Sequence, residues 1–238
     1  MKSRIRTTLV WISALLLAIW ITTIPASLAE NSEQNRFYVQ QMIELAATDN
    51  EQGVVNMQRM LEQNPRPASP NPTAAHADFQ RGLALFEQNS IEAALEVFRK
   101  ASQTDPGNAD VANYLGLIYR KLGQFSEAEA ALQQALSLEP DRAVAWFQLA
   151  QVYGLKNDTH RAVGALANTY RFAKNQMRAE EILRNIAENE AADTLRNAAL
   201  DTLRLFHLPA EASIVPPLPS NPDGIVPMND PPKPVRTP

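Results

Sequence analysis

Residues 109–140 read ADVANYLGLIYRKLGQFSEAEAALQQALSLEP, and the same spacing of residue types returns 34 positions earlier and 34 positions later. The tail of this unit, Ala128-Leu132-Ala135-Pro140, is preceded by Ala94-Phe98-Ala101-Pro106 and followed more faintly by Ala162-Leu166-Thr169-Lys174. Its head, Leu115-Gly116-Tyr119, is matched by Trp146-Leu149-Ala150-Tyr153 on one side and by Gly82 with Leu85 on the other. A fixed period of this size marks stacked helical hairpins, each unable to bury its apolar face alone. Arrays of this kind hold partners rather than perform chemistry.

Each recurring residue has a physical task. Gly116 and Ala150 leave room for the second helix of a hairpin, where Ala128 and Ala162 face them. Tyr119, Tyr153, Phe98 and Leu132 fill the space between successive hairpins. Gly123 allows a left-handed turn between helices. Ser126 and Glu129 have the spacing of a capping box for the second helix of the middle unit. Pro106 and Pro140 end one hairpin where a missing backbone donor costs least.

These residues resemble the tetratricopeptide repeat family, whose pattern is Trp-x2-Leu-Gly-x2-Tyr, then Ala-x3-Phe, then Pro. Three units in register, about 75–108, 109–142 and 143–176, cover just under half of the chain. The first head departs from the pattern, with Asp78 and Arg81 at apolar positions. The third unit has Asn157 in place of the turn glycine and lacks the final proline. The resemblance implies an all-α fold, a right-handed superhelical stack of antiparallel helix hairpins.

It also implies a concave groove lined by the first helix of each hairpin. One row of its wall would be Phe79, Asn113 and Phe147, and another Leu83, Leu117 and Gln151. A third would be Phe86, Arg120 and Gly154, flanked by Glu87, Lys121 and Leu155. A second reading has several of these packing in the core or against the N-terminal hairpin. Family members that clasp chaperone carboxylates use lysine and asparagine in the first unit, where this chain has Phe79 and Leu83. The groove is therefore apolar, with one basic edge at Arg120 and Lys121, and suits a hydrophobic or amphipathic protein segment.

Outside the repeats, residues 30–64 read as a helical hairpin, with Phe37, Met42 and Leu45 on one apolar face and Val54, Val55, Met57, Met60 and Leu61 on the other. It matches the repeat only weakly. Residues 65–72 hold closely spaced prolines and form a semi-rigid linker. Residues 177–207 supply two further helices. Arg184 stands at the small-residue site, so these helices cap the array rather than extend it. Residues 208–238 form a proline-rich tail with little to bury, read as disordered.

Residues 1–29 carry Lys2, Arg4 and Arg6, then an apolar run over residues 9–24, then Pro25 and Ala26-Ser27-Leu28-Ala29. This is the pattern of a secretory signal segment, and the alternative is an uncleaved membrane anchor. Both readings export the rest of the chain, to a periplasmic or lumenal space or to the outer side of a membrane. An uncleaved segment would associate the chain with a membrane.

The remainder has 19 basic against 26 acidic residues, a net charge of −7. It lacks the clustered basic face of a nucleic-acid binder. The 238 residues include no cysteine, which excludes disulfides, thiolate metal sites and cysteine nucleophiles. His76, His160 and His207 are too scattered to bind a metal, and no glycine motif is arranged to cradle a phosphate. No cofactor and no catalytic residue is expected. The sequence points to a non-enzymatic scaffold or assembly factor for a protein or peptide partner. The alternative is a constitutive structural subunit of a membrane-associated or self-associating complex; oligomeric state is left open.

Overall fold

The computed structural model describes residues 26–209, with side chains from residue 31. The basic and apolar parts of the expected signal segment, and the tail from residue 210, lie outside the described residues. Two units meet between Gln34 and Asn35. The described part of the first, residues 26–34, is helical. The second unit holds the three repeats and both flanking hairpins from Asn35 onward.

All regular structure among the described residues is α-helical. The helices are α1 (Ala26–Ala47), α2 (Glu51–Gln63), α3 (Pro72–Glu87), α4 (Ile91–Thr104) and α5 (Ala109–Lys121). Then come α6 (Phe125–Leu138), α7 (Ala143–Leu155), α8 (Thr159–Arg171), α9 (Gln176–Asn189) and α10 (Asp193–Leu205). The three repeats are the hairpins α3–α4, α5–α6 and α7–α8, and the second helix of each repeat packs against the first helix of the next.

Each hairpin turns through three residues whose middle member has a left-handed backbone: Asn89 (φ 57°), Gly123 (φ 72°) and Asn157 (φ 58°). Asparagine tolerates this conformation better than other residues with a β-carbon, which explains how Asn157 replaces the usual glycine. The small residue of each head makes room for a large one. A β-carbon on Gly82 would lie 2.9 Å from the Phe98 ring, and one on Gly116 would lie 2.5 Å from Leu132. The repeat tyrosines reach back to the preceding second helix. The Tyr119 hydroxyl accepts from Arg99 Nε at 3.0 Å, and that of Tyr153 donates to Glu129 at 3.1 Å.

The capping box expected at Ser126 and Glu129 does not form. Helix α6 starts at Phe125, with Gln124 in the cap position and no side-chain capping bond. Ser126 is thus already inside the helix. The Glu129 carboxylate is drawn instead to Tyr153, Lys156 and Arg161 of the next repeat. Three donors outweigh one backbone N–H, because charge-assisted hydrogen bonds are the stronger kind.

The N-terminal hairpin α1–α2 does not continue the stack. Val111, Leu115 and Ile118 of α5 share a buried cluster with Leu95 and Phe98 of α4. The residues 34 positions earlier, on α3, include Ala77, Arg81 and Ala84, all exposed. That edge of α3 offers a preceding hairpin nothing apolar to bury against. The hairpin lies on α6 and α8 instead. Val39, Met42, Ile43 and Ala46 of α1 are fully buried in the same cluster as Leu132 and Leu136 of α6 and Ala165 and Leu166 of α8. Burying such aliphatic side chains contributes roughly 1.5–3 kcal/mol each for the larger ones.

The contact with α8 brings backbone to helix surface. Asn168 Nδ2 donates to the Met42 carbonyl at 3.1 Å, and Arg171 pairs with Asp49 at 3.0 Å. The linker between α2 and α3 is pinned along its length. Arg66 donates to the Leu138 carbonyl at 2.8 Å and Ser69 to the Thr104 carbonyl at 3.2 Å. A β-carbon on Gly107 would lie 2.5 Å from the Pro67 carbonyl oxygen.

At the other end, α10 packs across both α7 and α8, while α9 makes a smaller contact with α8. Leu195 of α10 sits against Gly154, where a β-carbon would come within 3.0 Å. In a regular fourth repeat the first helix would take this place. Arg184 on α9 instead pairs with Glu180 and donates from Nε to the Pro209 carbonyl at 3.0 Å.

Candidate interaction surface

The first helices of the repeats, α3, α5 and α7, build the face expected to form the groove. Asn71 caps α3 by accepting from Ala74 N, and Asn108 caps α5 by accepting from Val111 N, each at 3.1 Å. These caps fix where each helix begins, and hence which side chains share a row.

The structure divides the nine expected groove residues by depth. Phe86, Asn113, Leu117 and Phe147 are buried; Phe79, Leu83, Arg120 and Gln151 are half-buried; Lys121 is exposed. Phe147, 6 % exposed, joins the large core with Trp146 and Tyr153, and Leu117 joins the core of the first two repeats. Gly154 lies beneath Leu195, so α10 closes that end of the face.

Phe79 and Phe86 are tied inward by Tyr114, a residue that belongs to none of the expected rows. Its ring stacks on Phe98 at 5.2 Å and meets Phe79 edge-on at 5.9 Å and Phe86 at 5.8 Å. Such edge and offset contacts contribute about 0.5–1.5 kcal/mol beyond area burial. Burial, reinforced by the nearby Asp110 carboxylate, pushes the Tyr114 hydroxyl above its ordinary pKa, so it stays neutral. The basic edge is present at Lys121, whose ammonium lies 5.4 Å from the centre of the Phe86 ring.

Three amides stand out on this face. The side-chain oxygens of Asn113, Gln148 and Gln151 are buried and accept no hydrogen bond from the protein. Asn113 is 5 % exposed and Gln148 is 1 % exposed. Leaving a buried acceptor unsatisfied costs about 1–3 kcal/mol, so three on neighbouring helices call for a reason. Gln148 is absent from the expected rows because rows stepped at helical spacing pass over the next residue. The signal was present: residues 114 and 148 are 34 apart, each directly after a residue of the first row.

Between the second and third repeats, a polar cluster centres on Glu129, which accepts from Tyr153, Lys156, Arg161 and Gln133. It joins α6 to α7 and α8 and holds the Glu129 carboxylate among four donors. Among the described residues no group of three histidine or acidic side chains could hold a metal ion, and no helix is long and apolar enough to cross a membrane.

Two family models described as tetratricopeptide repeat match the chain, one over residues 43–109 and the other over residues 85–149. The first match begins inside α1, so the N-terminal hairpin is repeat-like in sequence although it does not stack as one. A curated relative, the "Protein SGT1 homolog" of Oryza sativa subsp. japonica, is 25 % identical over 122 residues, 51 % of this chain. The match spans only 33 % of that protein's length. Among solved structures, "Crystal structure of MamA protein" is 20 % identical with a TM-score of 0.47, covering 77 % of this chain and 99 % of that one. A second, "MamA RS-1 ArsTM double mutant", is 16 % identical with a TM-score of 0.44, covering 71 % and 95 %. The two family matches, which together run over residues 43–149, identify a tetratricopeptide-repeat-containing protein.

Proposed function

We propose that this chain is a non-catalytic scaffold that holds an extended segment of a partner protein along the α3/α5/α7 face, outside the cytoplasm. Repeat arrays of this type act by protein–protein contact, and that coarse function follows from the repeats themselves. The exported location is supported by the basic start, the apolar run over residues 9–24 and the small residues at 26–29.

One observation carries the choice of face: the first helices present half-buried Phe79, Leu83 and Gln151 side by side with a Gln151 oxygen that finds no partner within the protein. An extended segment offers a backbone N–H and C=O at every non-proline residue, and an amide can rotate to meet either. The half-buried Phe79 and Leu83 supply the apolar contact that gives such docking its energy.

A photo-crosslinking side chain placed at Gln80, on the exposed rim of α3, tests this in native membranes. A discrete adduct is expected from position 80 and none from Ser126 on α6. Substituting Leu83 by aspartate and Gln151 by leucine should remove the adduct while the far-ultraviolet circular dichroism stays unchanged. Equal adducts from both labelled positions would reject the face.

A further inference from the structure

The tail beyond Pro209 contains a repeat of its own. Ile214-Val215-Pro216 recurs as Ile225-Val226-Pro227, eleven residues on, within a 29-residue stretch otherwise dominated by proline and polar residues. A plain spacer has no need of paired aliphatic triplets. Each triplet is built for extended docking, because the residue before a proline is held out of the helical region and β-branched side chains favour extended backbone. A segment restricted in this way loses little conformational entropy when it binds.

The point of departure is favourable. The chain leaves at Pro209, whose carbonyl is held by Arg184 on α9. The same C-terminal hairpin lays α10 across α7, with Leu195 on Gly154. From there a proline-rich chain advances about 3.1 Å per residue, placing the first triplet within roughly 15 Å and the second within roughly 50 Å. Three helices packed at 8–10 Å intervals span on the order of 20–30 Å, so the second triplet has the reach to cross the face and the first does not.

We propose that tail residues 210–232 are the resident occupant of the α3/α5/α7 face, and that a partner binds by displacing them. The Ile225-Val226 pair rests on Phe79 and Leu83, and the adjoining backbone meets the amide of Gln151. The idea rests on the proposed docking face and names what covers it when no partner is bound. A tethered ligand has an effective concentration of about 1 mM for a short linker, so a triplet with a dissociation constant near 100 μM would be docked roughly nine-tenths of the time. Abolishing that competition strengthens partner binding about tenfold.

The chain has no cysteine of its own, so a pair introduced for spin labels is unique. Distances are measured in the full chain between Ser220→Cys and Gln80→Cys, with Ser220→Cys and Ser126→Cys as the outer control. A narrow distribution is expected for the first pair, broadening in the Ile214→Asp/Ile225→Asp double variant and on adding a synthetic peptide of residues 210–232. A distribution unmoved by both treatments overturns the proposal. So does a signal that disappears on dilution with unlabelled chain, since the occupant would then be a second copy. If Gln80 still crosslinks a partner while the labels do not respond, the face survives and the tail is rejected as its occupant. If the labels respond and no partner is captured, the tail assignment stands without the scaffold reading.

Discussion

Gly164 of α8 lies so close under Ile43 of α1 that a β-carbon on it would fall 2.2 Å from the Ile43 carbonyl oxygen. The obstacle is backbone, which cannot rotate aside as a flexible side chain can. Gly164→Ala should therefore lift the N-terminal hairpin from α8 and cost about 3 kcal/mol, the upper end for overpacking. Urea denaturation read by circular dichroism would register this as a lower midpoint. An unchanged midpoint would mean that the hairpin does not sit on α8.

The turn residues predict opposite signs at equivalent positions. Gly123→Ala meets no neighbour, so its cost comes only from the left-handed backbone, about 1–2 kcal/mol. Asn89→Gly relieves that conformation and should be neutral or slightly stabilising. Asn157→Gly relieves it too but forfeits the hydrogen bond from Thr194 Oγ1 at 3.1 Å, which ties the turn to α10. Its net effect should be a loss of about 1 kcal/mol, measured by thermal unfolding.

Substitutions on the first-helix face should separate folding from binding. Phe147→Ala empties a core position and should cost about 3–5 kcal/mol. A triple substitution of Phe79, Arg120 and Phe147 would thus confound stability with recognition. Gln151→Ala removes an amide whose oxygen has no partner in the protein, and should leave the melting temperature nearly unchanged. Its effect belongs in the crosslinking yield from Gln80.

The Tyr153 hydroxyl is pushed well above its usual range, first by burial and then by the Glu129 carboxylate. In the unfolded chain it would lose its proton near pH 10. Above that pH the unfolded state binds fewer protons than the folded one, so stability falls as pH rises through this window. Tyr153→Phe should flatten the decline in unfolding free energy from pH 10 upward, and cost about 1 kcal/mol at neutral pH through loss of its bond to Glu129. A decline of the same steepness in the variant would remove Tyr153 as its source.

The stack was legible because its causes are local and periodic. Gly82 beneath Phe98 recurs as Gly116 beneath Leu132, and the left-handed turn at Gly123 recurs at Asn89 and Asn157, each at an interval of 34 residues. Where α1–α2 docks was not legible from periodicity. It depends on Arg81 denying the hairpin a seat on α3, and on Gly164 and Asn168 providing one more than 100 residues away. Arg81 was visible as a flaw in the first head; its long-range consequence was not. The candidate face was legible as rows and not as depths. Whether Phe147 or Phe79 is open depends on how closely neighbouring first helices approach, and Tyr114 sets that for Phe79.

A solenoid whose repeats touch only their neighbours can fray from either end, one unit at a time. Here the bond from Asn168 to the Met42 carbonyl spans 126 residues and fastens the first hairpin to the third repeat. The chain is closed on itself like a buckled strap. Loss of the last repeat removes the seat of the first hairpin, so the two ends should melt together. Because α8 is made long after α1, the hairpin's seat is incomplete until most of the chain has emerged. Long-range closure of this kind makes folding slower than a local stack would be.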